Sequence, residues 1–138
     1  AGFGAAATTV PARLAAMPDV ARRRDVIEST LRSLEGVRVN GASRRRVATA
    51  CHVAVAGVEG HALVAALDLE GVEVSSGAAC SSGRAEPSES LRRIYTDAPE
   101  RLEGALRVTL APETTDDEVA VASAAMVRVV ARLRALNG

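Results

Sequence analysis

Apolar residues recur at helical spacing in two long stretches of the chain and alternate with polar ones in short runs between them. Val20, Ile27, Leu31 and Leu34 form one stripe, and the spacing predicts a helix from Asp19, a capping residue, to about Glu35, with Gly36 as its stop. Upstream, residues 1–18 are alanine-rich, and Pro11 and Pro18 are expected to interrupt any long helix there. Val37–Val39 reads as a short strand ending at the Asn40-Gly41 turn signal. Val47–Val55 reads as a second strand, with Cys51, Val53 and Val55 on one face. A short helix is predicted from about His61 to Leu69, and a third strand at Val72–Val74. Ser88 opens a short helix through Leu91 to Tyr95. Leu106, Val108 and Leu110 alternate with Arg107 and Thr109, the pattern of a half-buried strand. In the last helix Thr115 and Glu118 are spaced as a capping box. Val119, Ala122, Met126, Val129, Leu133 and Leu136 follow at steps of three and four.

These elements do not keep a strict strand–helix–strand rhythm. They predict an α+β fold: a mostly antiparallel sheet of about four strands packed with helices. At 138 residues the chain is expected to be a single domain, 1–138, able to bury a core without disulfide staples. Two cysteines suit a reducing cytoplasm, and the sequence carries neither a membrane-span pattern nor the pattern of a signal peptide. Seventeen basic and seventeen acidic residues balance, which offers no global field for nucleic acid or a membrane surface. Phe3 and Tyr95 are the aromatic residues, too few for a base-stacking platform.

Every basic residue is an arginine; the chain contains no lysine. Chemistry that needs a lysine amine, such as a Schiff base with a carbonyl cofactor, is therefore closed to this chain alone. Arg22–Arg24 reads as partly a solvated helix face and Arg44–Arg46 as a loop beside the Asn40-Gly41 turn, with a phosphate or protein contact as the alternative for these runs; His52 and His61 read as ordinary histidines rather than metal ligands.

The segment VSSGAACSSGRAEPS, Val74–Ser88, places Cys80 among small residues. Serine and glycine keep such a loop solvated and without a bulky anchor. Composition alone leaves two readings open: a surface loop with an incidental cysteine, or the carrier of a reactive thiol that must reach two places. Cys51, on an apolar strand face, reads as a small buried hydrophobe.

Three blocks then resemble one family. VSSGAACSSGRAEPSESLRR, ALRVTL and TTDDEV, in that order and spacing, are similar to the C-terminal part of cysteine desulfurases of the NifS and IscS type. These are class V aminotransferase-like enzymes of PLP fold type I. GVEGHALVAALDLEGVEVSSG and AGFGAAA extend the resemblance upstream, so it covers nearly the whole chain but only that family's small domain. The resemblance implies that Cys80 is the nucleophile taking sulfur from PLP-bound L-cysteine as a persulfide and releasing L-alanine. It implies that Arg107 holds the substrate carboxylate, a task suited to a guanidinium fork. It implies a PLP-binding large domain supplied elsewhere, a sulfur-acceptor protein, iron–sulfur cluster or thio-cofactor synthesis, and a dimer in the complete enzyme. The family's glycine after the arginine block is Ala111 here, followed by Pro112. A stand-alone persulfide carrier or a non-catalytic regulatory module is the alternative.

Overall fold

A computed structural model describes residues 2–41, 46–77 and 88–137. Helix α1 spans Gly2–Thr8 and α2 Val10–Arg32; strands β1 (Val37–Asn40) and β2 (Ala50–Val55) follow. Helices α3 (Gly60–Asp68) and α4 (Glu89–Ile94), a 3-10 turn at Pro99–Arg101, strand β3 (Leu106–Thr109) and helix α5 (Asp116–Asn137) complete the order.

The strands form one antiparallel sheet in the order β1-β2-β3. The predicted fourth strand at Val72–Val74 is reduced to a single bridge between Ser75 and Arg107. The Val72 amide donates to Leu67 O (2.9 Å) and closes the end of α3, and the chain meets β3 only at Ser75.

Strand alternation sends Val37, Val39, Cys51, Val53, Val55, Leu106 and Val108 to one face, where α2, α3 and α5 cover them. Val20, Ile27, Leu31, Leu63, Leu67, Met126 and Val129 close the other side of that core. The opposite face carries Arg38, Asn40, His52, Arg107 and Thr109 in facing rungs.

Two expectations need correction. Pro11 and Pro18 do not stop the N-terminal helix, and Asp19 does not cap it. Pro11 lies in the first turn of α2, where its missing N–H has no partner to lose. Pro18 sits inside α2 and forfeits the bond its amide would have given to the Leu14 carbonyl. Alanine-rich sequence before it and the buried stripe Val20, Ile27, Leu31 after it carry the helix across that gap. The basic run Arg22–Arg24 is also less solvated than expected: Arg24 is buried, donating to Val47 O (2.7 Å) and pairing with Asp25. Glu28, likewise buried, is held by Arg32 (2.9 Å) and Arg46. A paired, hydrogen-bonded carboxylate is the form in which burial is tolerated.

The capping box at α5 is present. Thr115 N donates to Glu118 Oε2 (2.6 Å) and Glu118 N to Thr115 Oγ1 (3.2 Å). Arg134, near the other end of α5, donates to Ala56 O and Glu35 O and ties the helix to two loops.

Candidate active site on the outer face of the sheet

Leu106 and Val108 point into the core, so alternation leaves Arg107 on the open face. Its backbone is held from both sides. On one, Arg107 faces His52 across the β2–β3 ladder. On the other, Arg107 N donates to Ser75 O (2.6 Å) and Ser75 N to Arg107 O (3.2 Å). The guanidinium is exposed, and among the described residues no carboxylate pairs with it. Most of the other described arginines are tied to acids or carbonyls, as Arg22 and Arg23 are to Asp116 and Arg128 and Arg132 to Glu70.

Ser75 continues to Gly77, whose φ of +76° is the left-handed region that favours glycine. A Cβ placed there would lie 2.8 Å from His52 Nε2 and 3.9 Å from Arg107 Cβ, so Gly77 packs over both. Cys80 lies outside the described residues; those flanking its segment are Gly77 and Ser88.

The row of outer-face rungs adds residues that periodicity alone did not mark. Asn40 faces His52, and its amide lies 3.2 Å from His52 Nδ1. Asn40 also donates to Arg101 O (3.1 Å), and Arg101 returns bonds to Asn40 Oδ1 (3.2 Å) and Val39 O (2.8 Å). The Arg101 guanidinium stacks 4.9 Å from the centre of the Tyr95 ring, and the Tyr95 hydroxyl accepts from Gly41 N (2.9 Å). The only hint in the sequence was the Asn40-Gly41 turn signal, which marks a hairpin but not its partners.

Burial, and after it the positive field of Arg107, hold the His52 imidazole below its ordinary value of 6.5. The unfolded chain then binds more protons than the folded one as pH drops. His52 therefore contributes stability that is complete above about 6.5 and fades below it. Glu70, held down by Arg128 and Arg132, and Asp116, held down by Arg23 and Arg22, act in the same direction at lower pH, from their ordinary 4.5 and 3.8 downward. Urea midpoints should thus decline in two steps on acidification. His52→Gln should remove the upper step and leave the lower one; an unchanged upper step would assign it to another group.

Cys51 is buried on the core face as expected. Burial first, and then the negative field of Glu28, push its thiol up to about 11 from an ordinary 9.0. That cuts the reactive thiolate about 100-fold before any steric protection is counted. In a Cys80→Ser chain, alkylation of native Cys51 should be slower than in urea by about 100-fold or more. Similar native and unfolded rates would mean that this strand face opens readily.

A model of the aminotransferase class-V family matches residues 1–121. A cysteine desulfurase of Rhodobacter capsulatus is 34% identical over 137 residues, covering 96% of this chain and 35% of that protein. One from Klebsiella pneumoniae is 33% identical over 140 residues, covering 99% and 34%. The chain thus spans about a third of the length of these relatives. A solved NifS-like protein from Rickettsia africae superposes with a TM-score of 0.64 at 14% identity, over 82% of this chain and 28% of that one, which speaks for the fold. The match to the family model over most of the chain, together with these likenesses, places the chain in the aminotransferase class-V family.

Proposed function

We propose that this chain is the thiol-bearing small domain of a cysteine desulfurase. The observation that best supports the reading is Arg107. It is an exposed guanidinium without a carboxylate partner among the described residues, and its backbone is bonded to the segment that leads to Cys80. Arg107 binds the carboxylate of L-cysteine with two parallel charge-assisted hydrogen bonds. The Cys80 thiolate attacks the substrate sulfur. A sulfur–sulfur bond forms, the substrate carbon–sulfur bond breaks with its electron pair left on carbon, and that carbon takes a proton to give L-alanine. Cys80 is left as a persulfide, whose outer sulfur passes to an acceptor protein for iron–sulfur cluster or thio-cofactor synthesis.

The residues of this chain do not fit covalent PLP binding, because there is no lysine. PLP held by a lysine outside residues 1–138 supplies the electron sink when bound. The partner of this domain is therefore a PLP-binding large domain, and the complete enzyme is a dimer.

The test combines the chain with a PLP-binding large domain and measures sulfide release and the cysteine-dependent spectral change. Arg107→Lys should lose about 1.5–3 kcal/mol of substrate interaction, since lysine cannot copy the two-pronged contact. That is roughly one to two decades in kcat/KM. Parental values for both signals would remove Arg107 from the carboxylate site.

A further inference from the structure

The hydrogen bonds around Asn40 determine which nitrogen of His52 carries the ring proton. A guanidinium only donates, so the Asn40 atom facing Arg101 Nη1 must be the amide oxygen. The Asn40 amide nitrogen is then the atom that donates to Arg101 O, and the one that lies against His52 Nδ1. His52 Nδ1 must accept, and the ring proton belongs to Nε2, the atom over which Gly77 packs.

We propose that His52 is a positioning residue for Arg107: fixed as the Nε2–H tautomer through Asn40 and Arg101, its ring is the seat on which Gly77 packs, and it holds Ser75–Gly77 against β3 at the rung that carries Arg107. The proposal takes its functional sense from the reading of Arg107 as the carboxylate-binding residue. Three features make the seat specific. The His52–Arg107 rung is a directly opposed pair, so the ring and the arginine stem are neighbours. The bridge at Ser75 is the sole described pairing on the free side of β3, which leaves little else to hold that segment. Gly77 has no room for a side chain above the ring.

Protonation undoes the arrangement. An imidazolium presents N–H at Nδ1, directly against the N–H of Asn40, and the acceptor is gone. Among the described residues, the charged groups placed around it, Arg107 on β3 and Arg101 on the 3-10 turn, are cationic. Nothing in that set favours the added charge.

The test uses the full chain, isotope-labelled, in solution. Long-range imidazole correlations should show His52 protonated at Nε2 and bare at Nδ1 at neutral pH. The Ser75 and Arg107 amides should exchange about ten-fold faster or more in His52→Ala, while the Val55 amide, bonded to Gly104 O, stays within about two-fold. In the parent, the amide shifts of Ser75 and Arg107 should titrate with His52, and in His52→Gln they should not. A ring protonated at Nδ1, unchanged Ser75 and Arg107 exchange, or amide shifts that ignore His52 would overturn the proposal. The tautomer and the titration decide even if His52→Ala does not fold. In the PLP-containing complex, His52→Ala should raise KM for L-cysteine about ten-fold with kcat within about two-fold, and His52→Gln should recover part of the loss. If Arg107→Lys raises KM and His52→Ala does not, the positioning role fails and the carboxylate site stands. If neither does, the reading of Arg107 fails first.

Discussion

Gly104→Ala should cost about 2–5 kcal/mol, a large fraction of the stability of an ordinary domain. Two effects add. Gly104 is buried with φ +49°, a left-handed conformation that costs an L side chain about 1–2 kcal/mol. A Cβ there would also lie 2.1 Å from Val55 O and 2.8 Å from Val58 O, both backbone atoms. Those carbonyls belong to the end of β2 and the turn after it, and the Val55 amide itself donates to Gly104 O (3.2 Å). Relief therefore needs a shift of packed backbone, for which overpacking costs of about 1–3 kcal/mol are usual. Thermal melting should report a drop on the order of 10–15 °C. Gly71→Ala is the control. Gly71 has φ +76° but nothing within 4 Å of its Cβ position, so only the conformational cost of about 1–2 kcal/mol applies. Equal losses at the two positions would show that the contact at Gly104 relaxes freely.

Cys80→Ser should abolish sulfide release by the assembled enzyme, by a factor of about 1,000 or more, while substrate still produces its spectral change at PLP. A serine hydroxyl is not appreciably ionised near neutral pH and forms no stable bond to sulfur of the kind a thiolate does. On the proposed reading the step lost is sulfur capture, whereas carboxylate binding at Arg107 should persist. This differs in kind from Arg107→Lys, which weakens both signals together. Serine replaces cysteine by exchanging one sulfur for oxygen, so the melting temperature should stay within a few degrees. Mass spectrometry of the parent after cysteine treatment should find one added sulfur on the Cys80 peptide. Residual sulfide release from Cys80→Ser above background would shift the nucleophile to another residue.

Local pattern carried much of this fold. The capping residues of α5 and its apolar steps from Val119 to Leu133 were legible because a helix repeats its neighbours at three and four residues, though Leu136 at the end of the stripe is exposed. The two-residue alternation of β3 placed Arg107 outside and Leu106 inside, and the same rule buried Cys51. The three motif blocks gave the family, which the class-V match supports. What the sequence hid depends on register. Asn40, His52 and Arg107 share a row only because β1, β2 and β3 pair where they do, and residues 40, 52 and 107 have no local spacing to announce it. The 3-10 turn at Pro99–Arg101 that brings Arg101 to Asn40 is equally silent, since three residues are too few to show a periodic pattern. Pro18 misled for the opposite reason: a strong local rule was overruled by burial further along the helix. The fourth strand shrank to one bridge because the chain is still closing α3 at Val72 and meets β3 only at Ser75.

The Arg101–Tyr95 stack makes the protein its own reporter. The chain contains one tyrosine and no tryptophan, so intrinsic fluorescence on excitation of phenols comes from Tyr95 alone. That ring lies under a guanidinium and its hydroxyl accepts the Gly41 amide, at the far end of the hydrogen-bonded row that begins at His52. Emission intensity and anisotropy therefore sample one edge of the outer sheet face rather than an average over the molecule. Stopped-flow mixing with a binding partner, or a rapid pH jump, can follow that edge in real time without a dye, a tag or a substituted residue.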